Sequence, residues 1–506
     1  MKRQKASIPN RRSLMAKIPC HYLPKRLIVI GLCAFALLIS YADRTNLAVG
    51  IVYMSKEFNW DSTTEGAVLS AFFFGYFMTQ VIGGALADKF GGKIVLGTAA
   101  FCWSAFTFLT PPAAKHGLYT LLLCRVLLGV GEGAAFPSIH SIISLWAPIS
   151  ERSRMVGITT SIGYFGSVIA LPASTWLGSG PGGWESIFYF FGALGGVWLI
   201  LWVIFAQSSP AEYQGITIEE YNWINGNSSV QPTRYQQLEE NQTGIDIEDV
   251  NMDSNDIIVA AGSISGSIKG EDEEESEELV IEETSNTLPS SFKKRQYETK
   301  NIPWNRILKH REVWAILIAQ FCNSLGYFVI LTWLPTFFND HFNVDVKKLG
   351  YFAVLPYIVQ GVTGCFVGVI GDFAINKIGL RIITLRRFAQ LIGSMGMAVF
   401  MLLATFQATT IAQGVFYIAC GMGLNTFTLV GVVMSQLDIA PRYAGTIFSL
   451  GNTVATIPGF FGVALTGWIL DITGHNWGII WSICALFYVV GGCSFSLWAG
   501  GEVVID

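Results

Sequence analysis

Four charged residues sit where an apolar chain should carry none. Asp43 and Arg44 are neighbours inside the run 27–50, and Arg125 and Glu132 lie seven residues apart inside the run 118–146. Each run exceeds the ~20 apolar residues that a helix needs to cross a bilayer. Seven residues are two helical turns, so Arg125 and Glu132 share one face of their helix. A charge at mid-bilayer costs roughly 2.5–3.5 kcal/mol on insertion scales, so such a face is rarely turned to lipid. It can close into a structural ion pair or line a water-filled cavity, and the cavity is the expectation. There the residue types point to anion handling. A guanidinium holds a carboxylate or phosphate through two parallel bonds and keeps its own proton. A carboxyl's hold on a proton depends on its burial and on the nearest arginine. An anion that competes for that arginine would couple its binding to proton uptake by Asp43 or Glu132.

The elements that must position these groups follow from composition. The chain has 506 residues, 52 % hydrophobic and 13 % charged, with a mean hydropathy of +0.47. A soluble domain carries about 25 % charged residues, so this is read as a polytopic membrane protein and not as an enzyme. Abundant glycine suits close helix packing in lipid. The cysteines and histidines show neither CxxC nor metal-ligand spacing, so no metal and no cofactor is expected. Twelve apolar segments are long enough to cross: about 27–50, 65–87, 94–113, 118–146, 154–178, 185–207, 312–338, 348–371, 382–405, 409–437, 444–470 and 477–499.

Residues 1–26 form a basic tail, 27–207 a first set of six spans, 208–302 a polar loop, 303–499 a second set of six, and 500–506 a second tail. The loop holds 20 of the 36 acidic residues and 6 of the 32 basic ones, a net −14 against +10 for the rest of the chain. Its acidic, low-complexity stretch 270–283 cannot bury enough apolar surface to fold, so disorder is expected. Lys and Arg in the short loops gather on one side, which places both termini and the long loop in the cytosol. The sequons at Asn227 and Asn241 then lie on the wrong side for glycosylation. The halves echo one another: Ala147-Pro148 with Arg152 and Arg154 precedes segment five, and Ala440-Pro441-Arg442 precedes segment eleven. Repeated halves suggest a transporter with a midplane site between two bundles.

After segment two the chain reads Gly84-Ala-Leu86-Ala-Asp88-Lys89-Phe-Gly91-Gly-Lys93, with a partial counterpart in Gly371-Asp372 through Gly379 and Arg381 after segment eight. This resembles the loop signature of the major facilitator superfamily. The resemblance implies an all-α membrane protein, twelve transmembrane helices in two six-helix bundles, latched on the cytosolic face by Asp88, Lys89, Lys93, Asp372, Arg152 and Arg442. Tyr41-Ala-Asp43-Arg44-Thr-Asn46, Cys124-Arg125 through Gly131-Glu132-Gly133, and Phe136-Pro137 resemble the anion:cation symporter family. That family includes sialin, vesicular glutamate transporters, sodium–phosphate cotransporters, plant plastid anion transporters and bacterial sugar-acid symporters. The second half, through Leu331-Thr-Trp333-Leu-Pro335 and Gly451-Asn452-Thr453, is similar to the plant branch.

The resemblance implies substrate binding by Arg44, Arg125, Tyr41 and Tyr76, and proton coupling by Asp43 and Glu132. Asn323, Tyr327 and Asn452 are candidate contacts from the second half; each asparagine serves equally as a helix–helix hydrogen bond. Where the glutamate branch has an arginine and the plastid branch a histidine, this chain has Asn323, which lowers the rank of both substrates. The expected function is secondary active transport of an organic or inorganic anion by alternating access. The coupling ion is a proton first and sodium second, and the partners are a small anion and the bilayer, with no nucleic acid and a monomeric state. A sodium-dependent phosphate transporter, a vesicular or lysosomal exporter of a sialic-acid-like anion, and a non-transporting receptor or scaffold are the alternatives. The expected membrane is the plasma membrane or a lysosomal or vesicular one, ahead of a plastid.

Overall fold

A computed structural model of the chain describes residues 24–148, 151–213, 216–225, 304–439 and 444–500. The basic tail up to residue 23, most of the acidic loop with both sequons, Arg442 and residues 501–506 lie outside the described residues, as do the side chains of Asp88 and Asp372. Helices make up almost all of the rest. The first half holds α1 (Lys25–Phe58), α2 (Ser62–Phe90), α3 (Gly92–His116), α4 (Leu118–Gly133), α5 (Ala135–Trp146), α6 (Arg152–Gly178) and α7 (Glu185–Phe205), followed by the short α8 (Ile218–Asn225). The second holds α9 (Arg311–Phe342), α10 (Leu349–Asn376), α11 (Ile382–Phe406), α12 (Ile411–Asn425), α13 (Met434–Ile439), α14 (Ala444–Thr473) and α15 (Trp477–Trp498). Among the described residues, eleven candidate spans are long and apolar enough to cross a membrane, and the 29-residue α2 completes twelve.

The halves repeat in packing as well as in order. In the first, α1 packs on α6 and α7, α4 on α2 and α3, and α3 on α7. In the second, α9 packs on α14 and α15, α12 on α10 and α11, and α11 on α15. Even the ends match. Asn59 closes α1 and Asn343 closes α9 in the left-handed region, at φ 52° and 51°, which asparagine tolerates better than most residues.

Two spans read as single runs are broken. The run 118–146 divides at Ala134. Glycines 129, 131 and 133 weaken the helix there, and Pro137 cannot donate the amide that the Gly133 carbonyl would receive. The run 409–437 ends α12 at Asn425 and passes through a π-helical turn, Leu429–Val433, before α13. Side chains of α11 serve the backbone at that turn: Arg386 Nη1 donates to the Val430 carbonyl at 3.0 Å, and Val432 N donates to Gln390 Oε1 at 3.3 Å.

The halves meet along α1 with α9, α2 with α14, and α6 with α10. Among the described residues, the hydrogen bonds between halves gather on the face opposite the start of α1. The Asp471 carboxylate, near the end of α14, accepts Ser62 N at 3.0 Å, Thr63 N at 2.7 Å, and the Thr63 hydroxyl. It therefore covers amides at the N-terminus of α2 that have no intrahelical partner. Gly350 N donates to Thr175 Oγ1 at 2.9 Å on the same face. At mid-depth Phe73 meets Phe328 at 4.6 Å between centroids, and Thr456 Oγ1 donates to Gln80 at 3.4 Å.

Candidate functional site

Asp43 and Arg44 lie mid-way along α1, and adjacent residues on a helix point about 100° apart. They consequently face different neighbours. Arg44 turns to α2 and α4, where Arg44 Nε donates to Glu132 Oε1 at 2.7 Å. The same oxygen receives the Ser40 hydroxyl, one turn earlier on α1. The pair is out of solvent, with side chains 8 % and 0 % exposed. Three rings surround the guanidinium, with centroids at 5.2 Å for Tyr41, 5.3 Å for Phe72 and 4.6 Å for Tyr76. Arg44 Nη2 and Glu132 Oε2 make no hydrogen bond.

The close approach of α2 to α4 sets this geometry. A Cβ at Gly75 would strike the Val126 carbonyl, and one at Gly129 would strike the Phe72 carbonyl. These reciprocal glycines let the two helices cross at backbone contact, and Tyr76 and Glu132 follow them in sequence. Around Tyr41 stand Tyr164 of α6 at 5.3 Å and Phe136 of α5 at 6.4 Å. Tyr327 of α9 comes from the second half into electrostatic range of Tyr41, Tyr164, Tyr357 and Arg44. Phenols from both halves thus converge near one arginine.

Asp43 turns the other way, toward α3 and α4. It is 1 % exposed, and Asn46 Nδ2 donates to its Oδ1 at 3.2 Å. Arg125, 2 % exposed, stands within electrostatic range of it, with Nε and Nη1 lacking hydrogen-bond partners. The four charges form one buried cluster: Arg44 bonds Glu132 among the tyrosines, Arg125 and Asp43 lie behind them, and Glu132 is within electrostatic range of both.

The other candidates are more dispersed. Asn323 accepts the Ser394 hydroxyl at 3.2 Å and ties α9 to α11 within the second half. Asn452 is half-buried on α14, one turn from the Thr456 that faces Gln80. Lys93 Nζ donates to Gln207 at 3.0 Å and Arg152 Nη2 to the Ser144 carbonyl at 2.5 Å, both inside the first half. Lys89 lies exposed over the Phe90 ring. Ser40 escaped the sequence reading although its i, i+4 spacing to Arg44 was available. Phe72, Tyr164 and Tyr357 carry no local mark, because an aromatic residue in a span is ordinarily packing.

Twelve spans in two repeated halves, with buried charges in the first half and Tyr327 of the second half reaching the Arg44 side, define a secondary transporter. The model of the Major Facilitator Superfamily matches residues 33–463, and the chain belongs to that family. Within it the relatives are anion transporters. The chain is 35 % identical over 483 residues to the "Ascorbate transporter, chloroplastic" of Arabidopsis thaliana, covering 96 % of this chain and 76 % of the relative. It is 34 % identical over 484 residues to the "Sodium-dependent phosphate transport protein 1, chloroplastic" of the same plant, covering 96 % and 81 %. Among solved structures it resembles a bacterial homologue of the human lysosomal transporter Spinster in an inward-facing, occupied conformation. That match has a TM-score of 0.63 and 14 % identity, and covers 94 % of this chain and 97 % of that one. The chain is thus a multi-pass membrane transporter of the anion:cation symporter group.

Proposed function

We propose that the protein carries a small organic anion by alternating access, with a proton as the coupling ion. The observation that carries this reading is the Nη2 edge of Arg44, where Nη2 has no hydrogen-bond partner beside Glu132. Nε is held by the carboxylate, Nη2 is unengaged, and three rings border the guanidinium. A carboxylate or enolate arriving at that edge competes with Glu132 for the same cation. Glu132, released from Arg44, then takes a proton, and loss of that proton restores the pair and expels the anion. The aromatic surround favours an anion with a carbon face to pack on the rings, and one relative is named for ascorbate.

A second reading, sodium-dependent phosphate transport, draws on the name of the other relative. The same names, both chloroplastic, favour an organelle membrane with a plastid first, against the expected plasma or lysosomal membrane. Both termini are read as cytosolic from the basic loops, and the carrier as a monomer. The deciding experiment is counterflow in proteoliposomes across a panel of anions at two internal pH values, with and without sodium. Organic-anion uptake that responds to pH and ignores sodium supports the first reading. Phosphate uptake that requires sodium replaces it.

A further inference from the structure

The second half carries a cleft on the side turned away from the arginine site. Lys309, Arg311, Trp314 and Ile318, at and just before the start of α9, and Trp498 at the end of α15 line an open cavity of about 410 Å³. Successive residues of a helix are about 100° apart. Ile318 and Trp314 therefore stand roughly 180° and 140° around α9 from Tyr327, the residue that reaches the Arg44 side. The cleft thus opens on the outer surface of the bundle. One turn further along the same face Phe321 meets Phe487 of α15, with ring centroids 6.3 Å apart, and continues the seam between the two helices. Trp314 and Trp498 are 47 % and 43 % exposed. Trp314 Nε1 donates to the Leu308 carbonyl at 2.8 Å, which holds its ring against the turn before α9. Lys309 is exposed beside them, and the Arg311 side chain is 76 % exposed even though its Nε donates to Glu312 Oε1 at 3.2 Å.

Cations and apolar rings in one cleft suit an amphiphile. Tryptophan collects where the hydrocarbon of a bilayer meets its headgroups, and Lys and Arg gather at that level on the cytosolic side. Residues 293–311, which run into α9, hold seven Lys or Arg and one acid, Glu298. A basic cluster of that kind beside a span attracts anionic lipid, and basic pockets between spans on the same side take lipid headgroups. We infer that the cleft between α9 and α15 binds an anionic phospholipid, its phosphate held by Lys309 and Arg311 and one acyl chain lying along Trp314, Ile318 and Trp498. The guanidinium offers a phosphate two parallel donors, and the lysine adds a point charge. A free anion would use the cations alone and leave the apolar floor bare. A phosphatidylcholine would cover the floor but bring its own cation toward Lys309 and Arg311. The lipid lies on the opposite side of α9 from the tyrosine-lined site, so it is not the transported anion.

The full chain, purified in detergent and incubated with phosphatidylglycerol or phosphatidylcholine, is read by native mass spectrometry for the lipid it retains. The expected result is one phosphatidylglycerol held roughly ten-fold or more tightly than phosphatidylcholine. Lys309→Gln combined with Arg311→Gln should weaken that retention about thirty-fold, and Arg311→Gln alone about five-fold, one cation's attraction at a time. The single variant carries the test if the double one does not elute as a monodisperse species. Lys347→Gln combined with Lys348→Gln removes the same charge beyond the far end of α9, and retention there should stay within about two-fold of normal. Equal retention of the two lipids overturns the inference. So does unaltered retention in Arg311→Gln, or an equal loss in the Lys347 and Lys348 variant. Displacement of the lipid by inorganic phosphate assigns the two cations to a free anion and overturns it as well.

Discussion

Glu132 is bound to Arg44, on another helix, and not to Arg125, with which it shares a helical face: Arg44 Nε stands 2.7 Å from Glu132 Oε1. The distinction separates the two arginines by surroundings. Arg44 is on the tyrosine-lined side where the halves meet, and Arg125 is enclosed with Asp43 inside one half.

Arg44→Lys is expected to reduce anion counterflow at least ten-fold while the protein still reaches the membrane. Lysine keeps the charge but cannot hold Glu132 on one edge and an anion on another, because it lacks the planar fork. Near-normal counterflow by purified Arg44→Lys would remove Arg44 from the binding site.

Glu132→Gln should keep exchange and lose accumulation driven by a pH gradient. An amide oxygen still accepts from Arg44 and Ser40, but it takes up no proton in this range. Accumulation measured at the usual gradient, compared with exchange in the same vesicles, checks this. Gradient-driven uptake that survives the change takes Glu132 out of the coupling step.

Tyr76 should act through its ring. Its centroid is 4.6 Å from the Arg44 guanidinium, and a cation–π contact is worth about 0.5–2 kcal/mol. Tyr76→Leu should therefore weaken apparent anion affinity by roughly two- to thirty-fold, and Tyr76→Phe should lose less, since it keeps the ring and removes only the hydroxyl that meets Arg44. Competition by unlabelled anion separates the two variants.

Asp471 should control which face opens. Its carboxylate caps the start of α2 from the other half, and such a charge at a helix N-terminus is worth about 0.3–1 kcal/mol, up to ~2 when partly buried. Asp471→Asn should shift the population several-fold toward opening on that face. Accessibility of a reporter cysteine on the far face, with and without the change, reads the shift. Unaltered labelling would show that the cap does not restrain the opening.

Gly129→Val should fail to fold. Its Cβ would lie 2.0 Å from the Phe72 carbonyl oxygen, and two backbones at contact cannot both yield. Loss of the monodisperse species in detergent is the expected outcome, and a folded Gly129→Val would show that α2 and α4 can separate without cost.

Apolar run length, turn chemistry and loop charge were enough to read twelve spans, two repeated halves and the four buried charges from the order of residues. These are properties of local composition, and the bilayer allows few ways to satisfy them. The breaks at Ala134 and after Asn425 were also written in glycine, proline and polar side chains, although their place in continuous apolar runs concealed them. Which arginine meets which acid was not written there. Adjacent residues on α1 diverge by about 100°, so the partner of each depends on how α2, α3 and α4 are arranged around it. The same holds for Asn323, equally suited to a substrate or to Ser394, for the phenols assembled from α1, α2, α6, α9 and α10, and for the Asp471 cap across 409 residues. Such contacts arise only when distant segments pack, because burial, and not sequence separation, decides what a polar side chain can reach.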